Sequence, residues 1–301
     1  MQFTAHLVLI LLLSAGNLFA DTTWNTGSVQ NQPMENDTTY WSKEFSAGFN
    51  FNQSTFSGNW SGGGMNSLAA GSVLLARSDY ERENISFDNQ LELLYGLVRQ
   101  GDRGTRKAND RIFLDSKIGY RLNGDWRSYF SANFTSQFTD GFDYENDERT
   151  LVSGFLSPAY ITTSLGFEYK PSQEFNLRIG PLSPRVTIMR NHTIQENVPK
   201  NYGVPVGETT RTEWLAFQLF AVWERDFTED LNIRSRYQMF ANYETLNFEN
   251  IDHRLDVTLT ANITRLINVT LSSINIYDID QDTKIQFSTG LALGILYKVG
   301  N

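Results

Sequence analysis

The chain contains no cysteine. That removes a disulfide framework, a thiol nucleophile and an N-terminal lipidated Cys from consideration. Histidine is almost as scarce, with 3 in 301 residues, and proline numbers 7. Positive charge does not predominate: the formal net charge is −9 and the pI is near 4.9. A nucleic-acid binder driven by phosphate neutralisation needs the opposite balance. After the N-terminus no apolar run is long enough for a membrane helix, and mean hydropathy is −0.36. Aromatics, by contrast, are plentiful, with Phe at 21 and Tyr at 13.

The apolar residues that are present alternate. From Thr283 to Val299 every odd position is bulky or β-branched: Thr283, Ile285, Phe287, Thr289, Leu291, Leu293, Ile295, Tyr297 and Val299. The even positions are polar or small, Leu296 excepted. Side chains alternate across a strand with period two, so this stretch predicts one long strand with an apolar and a polar face. Crossing a bilayer takes about 9–11 residues of strand, and this one is longer. The pattern predicts the closing strand of a transmembrane β-barrel.

Earlier stretches repeat the alternation. They lie near 45–52, 68–77, 85–97, 112–120, 126–138, 159–169, 175–179, 214–225, 231–243, 251–263 and 267–276, which with the last makes twelve. Pro181 and Pro184 predict a kink after the seventh. The second shows poor contrast and the eighth ambiguous facing. In the eleventh the apolar parity slips at Ser272-Ser273, so a bulge is expected there, with Ile274 and Ile276 outward. Asn123-Gly124 signals a tight hairpin. Short connections (also near Ser78–Arg82, Lys170–Glu174, Phe227–Asp230 and Thr264–Leu266) alternate with longer ones. The longer ones are expected near Ser57–Gly64, Arg99–Asn109, Asp140–Ser153, Asn191–Arg211, Thr245–Asn250 and Asp278–Asp282. Outer-membrane barrels sort their periplasmic turns and outer loops in this way. The fold class is therefore all-β, a single antiparallel transmembrane β-barrel of about twelve strands. It is expected over 44–301, after a cleaved signal peptide (1–20) and an irregular periplasmic lead-in (21–43).

Charge exclusion assigns the faces. Arg or Lys on the lipid face near mid-bilayer costs about 2–4 kcal/mol. The charged residues of polar parity are thus expected in the lumen: Asp88, Glu92, Asp115, Lys117, Arg127, Glu168, Arg178, Arg234, Arg236, Asp252, Arg254 and Asp256. They either line a narrow polar pore or pair across the interior and plug it. Aromatics crowd the short turns, and Tyr120, Trp126, Tyr169, Phe175, Trp223, Phe227 and Tyr297 are expected to form a girdle at the periplasmic headgroup level.

The order and spacing of several pieces resemble the domain of unknown function 3078 family of Bacteroidetes-type outer-membrane proteins. The pieces include Asn59-Trp60-Ser61-Gly62-Gly63-Gly64 and Ser116-Lys117-Ile118-Gly119-Tyr120. Asn133-Phe134-Thr135-Ser136-Gln137-Phe138, Ser157-Pro158-Ala159-Tyr160, Tyr169-Lys170-Pro171 and Ile276-Tyr277-Asp278 also fit. The resemblance implies an outer-membrane barrel and carries no activity to transfer. One departure is the end, Val299-Gly300-Asn301, where such barrels close on an aromatic residue; Tyr297 is the expected substitute.

Little points to chemistry. A Ser-His arrangement would have to join Ser272 or Ser273 to His253 across neighbouring strands. His253 has lipid-face parity, and His192 falls in a long loop. Asp278, Asp280 and Asp282 alternate as hard-cation ligands do, but Thr283 and Thr289 stand where an EF-hand needs Gly and Glu. Arg103, Arg106 and Lys107 are expected to pair with the acidic loop around Asp140–Glu148. No enzyme activity, cofactor or metal is expected. The expected partners are outer-membrane lipid and, during insertion, the barrel-assembly machinery. The leading expectation is a narrow pore for ions or small polar solutes in the cell outer membrane. The alternatives are a non-conducting structural or surface-interaction barrel, or an outer-membrane lipid hydrolase.

Overall fold

A computed structural model describes residues 40–300 apart from 60, 62–64, 102, 145–147 and 199. The expected signal peptide and all but the end of the expected lead-in lie outside the described residues. The strands in chain order are β1 (Trp41–Ser54), β2 (Ser67–Arg82), β3 (Ile85–Gln100), β4 (Thr105–Asn123), β5 (Trp126–Ser136), β6 (Gly141–Asp143) and β7 (Thr150–Ser153). There follow β8 (Ala159–Tyr169), β9 (Phe175–Leu182), β10 (Arg185–Ile188), β11 (Thr210–Glu213) and β12 (Ala216–Thr228). The last are β13 (Leu231–Asn242), β14 (Asp252–Asn262), β15 (Ile267–Asp278) and β16 (Asp282–Gly300). One short helix, α1 (His192–Asn197), lies between β10 and β11.

Twelve of these strands close a ring: β1, β2, β3, β4, β5, β8, β9, β12, β13, β14, β15, β16 and back to β1, each antiparallel to its neighbours. Closure leaves the wall without a continuous free edge, as hydrocarbon demands of a spanning sheet. The β8–β9 ladder is irregular, shifting register between Leu165 and Phe167. Gly166 sits at that shift, and a Cβ there would strike the Ile179 carbonyl. The backbone kinks at Pro181 and Pro184, on either side of Leu182 at the end of β9, and resumes as β10, which pairs with β8 and β11.

The outward rows are apolar. On β13 they read Leu231, Ile233, Ser235, Tyr237 and Met239, paired in register with Ala261, Leu259, Val257, Leu255 and His253 on β14. On β16 Ile285, Phe287 and Leu291 are 68–76% exposed. A band of large apolar side chains that face outward from a closed sheet is the surface of a transmembrane barrel.

Several boundaries differ from the sequence expectations. β1 begins at Trp41, so the barrel starts three residues before position 44, and Trp41 pairs with Tyr80. The charged segment expected as a loop over Arg99–Asn109 is mostly strand, and the turn between β3 and β4 covers only 101–104. It accommodates its one irregularity as a register shift between Gly96 and Leu97. The expected eighth strand is divided at Trp214-Leu215 into β11 and β12. The expected bulge at Ser272-Ser273 is absent: β15 pairs without a break through Ser272↔Gly290 and Ser273↔Thr289, and the shift falls between Ile276 and Asp278. Ser273 and Asn275 therefore face outward, joined by a 3.1 Å hydrogen bond, and Ile274 and Ile276 share the inward row with Asp256 and Arg254. The continuous ladder outweighs the preference of two isoleucines for lipid, because a bulge would leave a backbone group unpaired.

At the end with the longer connections, β6, β7, α1 and the 189–209 segment build a cap. Its small core is Met189, Ile194 and Val204, with Leu151, Val198 and Tyr202 packed against it.

Candidate functional site: the barrel interior

The interior is read most directly along β4, whose odd positions face inward. Arg111, Phe113, Asp115 and Lys117 occupy four successive levels toward the short-turn end. Each level meets side chains from other walls.

At the first two levels lies a septum. Arg111 donates to Glu92 of β3 and to Asp256 of β14, each at 3.3 Å. Arg236 of β13 contacts Glu92 at 3.0 Å and Asp256 at 2.8 Å, and Arg254 adds a 2.9 Å contact to Asp256. Phe113, 1% exposed, lies beneath the guanidinium groups of Arg111 and Arg236, at 4.7 and 5.2 Å. In the ring order above, β3 and β13 are six strands apart in either direction, as are β4 and β14. The Glu92–Arg236 and Arg111–Asp256 pairs therefore span the full width of the barrel. A third pair does the same, Arg77 of β2 with Glu224 of β12 at 3.4 Å, and Arg234 lies 3.7 Å from the same carboxylate.

Below the septum, Arg178 forms a two-pronged contact with Asp115, at 2.7 and 3.3 Å, and its guanidinium lies 4.1 Å from the Phe220 ring. One level further, Lys117 binds Asp88 at 2.6 Å and also Glu168. Glu168 is fully buried, and Asn176 donates to it at 2.5 Å, while Arg127 stands 3.9 Å away and bonds Glu81. Near the long-connection end Arg185 binds Asp252 at 2.6 Å and stacks on Phe240. A charge taken out of water is costly unless paired and hydrogen-bonded. Among the described residues each buried Arg, Lys and Glu has an opposite partner, and buried Asp278 accepts hydrogen bonds instead, so the interior is packed rather than merely lined.

Each of the twelve charged residues singled out by parity, from Asp88 to Asp256, thus carries an interior ion pair. Parity reading missed Arg77, Arg111, Arg185 and Glu224. Arg111 shares the odd parity of Asp115 and Lys117 and was legible by that rule. Arg77 and Glu224 lie on the two strands whose contrast is poor, because Leu75, Phe220 and Val222 share their inward rows.

The girdle candidates lie at the short-turn ends of their strands. Tyr120, Trp126, Phe227 and Tyr297 are exposed, and Tyr169, Phe175 and Trp223 half-buried. Trp126 and Tyr169 rings are 5.0 Å apart, and Trp223 and Phe227 6.2 Å. Tyr40, Trp41, Tyr80 and Phe87 extend the same belt on β1–β3.

Under the cap is a polar recess of about 140 Å³, walled by residues including Tyr160, Arg185, Tyr202, Arg211, Asp252 and Asp278. Arg211 holds the cap down. It donates to the Gly203 carbonyl at 3.1 Å, and contacts Asp280 at 3.0 Å and Glu213 at 3.1 Å. Lys200, Asn201, Tyr202 and Gly203 all have φ between 49° and 77°, a left-handed turn that three non-glycine residues adopt at a cost of about 1–2 kcal/mol each. Burial, with Asp278 nearby, pushes the Tyr202 phenol up to about 12, and it donates to the Val152 carbonyl at 2.8 Å.

The remaining chemical candidates are dispersed. His253 faces outward, 2.7 Å from the Tyr237 hydroxyl and stacked between Tyr237 and Tyr277. Ser273 is opposite Val257, four positions along β14 from His253, about 13 Å by strand rise. His192 approaches Gln195. The three aspartates of the β15–β16 turn do not converge. Asp278 accepts from the Asp280 backbone and Gln281, Asp280 pairs with Arg211, and Asp282 accepts from the Lys284 backbone. Among the described residues no group of acids and histidines could hold a metal. Among the described residues the Lys107 ammonium has its carboxylate partner on its own strand rather than in the Asp140–Glu148 loop. It bonds Asp110 at 3.0 Å, Gln137 and the Thr139 carbonyl, which lie closer along the same wall. Arg106 sits 3.9 Å over the Tyr144 ring.

No curated protein matches the chain. Among solved structures, an outer membrane channel from Pseudomonas putida F1 is similar at 9% identity and TM-score 0.40, covering 93% of this chain and 100% of that one. The NanC porin is similar at 7% identity and TM-score 0.38, covering 85% and 100%. The translocator domain of the autotransporter NalP from Neisseria meningitidis is similar at 10% identity and TM-score 0.36, covering 98% and 95%. Over residues 51–142, from the end of β1 to the start of β6, the chain matches the model of a family described as Protein of unknown function (DUF3078).

Proposed function

We propose that this chain is an outer-membrane β-barrel that is closed to free diffusion, and that it acts through its capped outer face rather than as an open pore. The observation that carries the reading is the Glu92–Arg236 contact, made between opposite walls with both residues buried. The long-connection end, with its cap and recess, faces the exterior, and the aromatic belt sits at the periplasmic headgroups. Outer-membrane lipid covers the apolar band, and the barrel-assembly machinery inserts the chain. The dispersal of His253, His192 and the serines supports a non-enzymatic role.

Planar-bilayer recording tests this. The refolded protein is expected to give no conductance steps between about 0.1 and 1 M salt. Reproducible steps in the unaltered protein would overturn the reading.

Those same steps would favour a second reading, a narrow pore for ions or small polar solutes. One observation supports it: the inward rows of β1, β2 and β16 carry Gly48, Gly71, Gly290, Ala292 and Gly294, so the wall beside the septum is lined by small residues.

A further inference from the structure

The ladder between the first and last strands is incomplete. β1 and β16 pair from Glu44↔Gly300 to Asn50↔Gly294 and no further. Continued in register, Phe51 would face Leu293, Asn52 Ala292, Gln53 Leu291 and Ser54 Gly290, yet none of these makes a ladder pair across the seam. On their other sides the same residues pair normally, β1 with β2 as far as Ser54↔Ser67 and β16 with β15 throughout 290–293. The result is a notch four residues deep, about 13 Å along the strands.

Its position is defined by the septum. From Asp256 the register passes through Ile274 to Ser288 on β16. From Glu92 it passes through Leu75 and Ser46 to Lys298. Asp256 and Glu92 meet at one level, so that level crosses the seam between Ser288 and Lys298, where pairing stops. The notch therefore begins at the level of the septum and opens toward the long-connection end. Outside it stand Phe51, Leu291 and Leu293, about 50–70% exposed. Inside it stand Asn52, Gly290 and Ala292, which leave room and offer polar groups.

A gap in the wall beside hydrocarbon exposes backbone N–H and C=O groups that need partners. An outer-leaflet lipid placed there would meet both rows at once, with its acyl chain along Phe51 and Leu293 and its ester and headgroup oxygens at the backbone N–H groups that face the seam. We propose that the notch is a lateral lipid-binding site through which the polar end of an outer-leaflet lipid reaches the interior above the septum. The proposal rests on the reading of the septum as a barrier only for where the lipid stops; the notch itself is independent of conductance.

Absence of native cysteine makes the test direct. Single variants Ala292→Cys (inward, at the notch), Leu293→Cys (outward) and Thr258→Cys (inward, on a wall paired on both sides) are labelled with a small fluorophore. The full-length mature protein is refolded in phosphatidylcholine vesicles containing phosphatidylcholine brominated near the top of its acyl chains. Bromine quenches on contact. The label at 292 is expected to be quenched at least half as strongly as that at 293, with that at 258 several-fold less. Gly290→Cys repeats the inward measurement if the 292 variant fails to refold. Quenching at 292 no greater than at 258 overturns the proposal, since a wall sealed by its own strands, or by a strand of a second copy, excludes lipid. An intermolecular disulfide formed by Asn52→Cys would mark such a second copy and would overturn it equally. Conductance steps with strong quenching at 292 would remove the septum reading and leave the notch intact.

Discussion

Glu168 shows what the interior asks of a single residue. It is fully buried and takes its counter-charge from Lys117, with Asn176 as donor and Arg127 more distant. Removing one member of such a pair leaves an uncompensated charge, whereas removing both can be nearly neutral. Lys117→Met is therefore expected to destabilise the barrel by about 3–5 kcal/mol, read as the shift in urea-unfolding equilibrium in lipid vesicles. Adding Glu168→Gln to Lys117→Met is expected to recover more than half of the loss, and a purely additive double variant would contradict the pairing. At this scale the sequence was informative about charge and uninformative about inward apolar residues. A charged side chain in a membrane strand has one tolerable direction, so parity singles out residues such as Glu92, Arg236 and Asp256, which are paired with one another here. An apolar side chain is tolerated both in lipid and in a packed interior. Phe113, Phe220 and Leu296 therefore sit inside with no signature to distinguish them from the outward rows.

Elements obey the same asymmetry. Alternation and turn residues were enough to find all twelve wall strands, including the kink at Pro181 and Pro184, because the period of two and the missing proline N–H act locally. They were not enough at β15, where Ile274 and Ile276 turn inward and ladder continuity decides the register. They also failed at 105–109, expected as loop, because the rows of β3 and β4 extend beyond the band into residues whose polarity resembles a loop. The β14 rows permit a paired test. Leu259→Arg, on the outward row, is expected to cost about 2–4 kcal/mol. Thr258→Arg, one residue away and inward beside Ser272, is expected to cost less than half as much in the same unfolding assay. The cap is a second element with its own stability. Arg211→Ala removes its ties to Gly203, Glu213 and Asp280. Protease added outside vesicles is then expected to cut the 189–209 segment several-fold faster, while the unfolding midpoint of the barrel moves little. Equal cutting rates would show that the Met189–Ile194–Val204 core alone secures the cap.

The whole molecule is divided by its septum. Three cations, Arg77, Arg111 and Arg236, reach across the ring to carboxylates on the opposite wall. Replacing all three with alanine vacates the centre and leaves Glu92, Glu224 and Asp256 in place. Such a variant is expected to give conductance steps in planar bilayers and to prefer cations, as rings of acidic side chains do. A silent triple variant that refolds normally would mean that other side chains, with Phe113 foremost, close the path by themselves.

The large connections are not shared evenly around the rim. The 137–158, 189–209 and 243–251 segments lie between β5 and β14, while outside that arc only the 55–66 segment between β1 and β2 is long, and β3–β4 and β15–β16 are joined by turns of 101–104 and 279–281. Antibodies raised against intact cells should therefore recognise mainly the arc between β5 and β14, where most of the chain outside the strands is gathered.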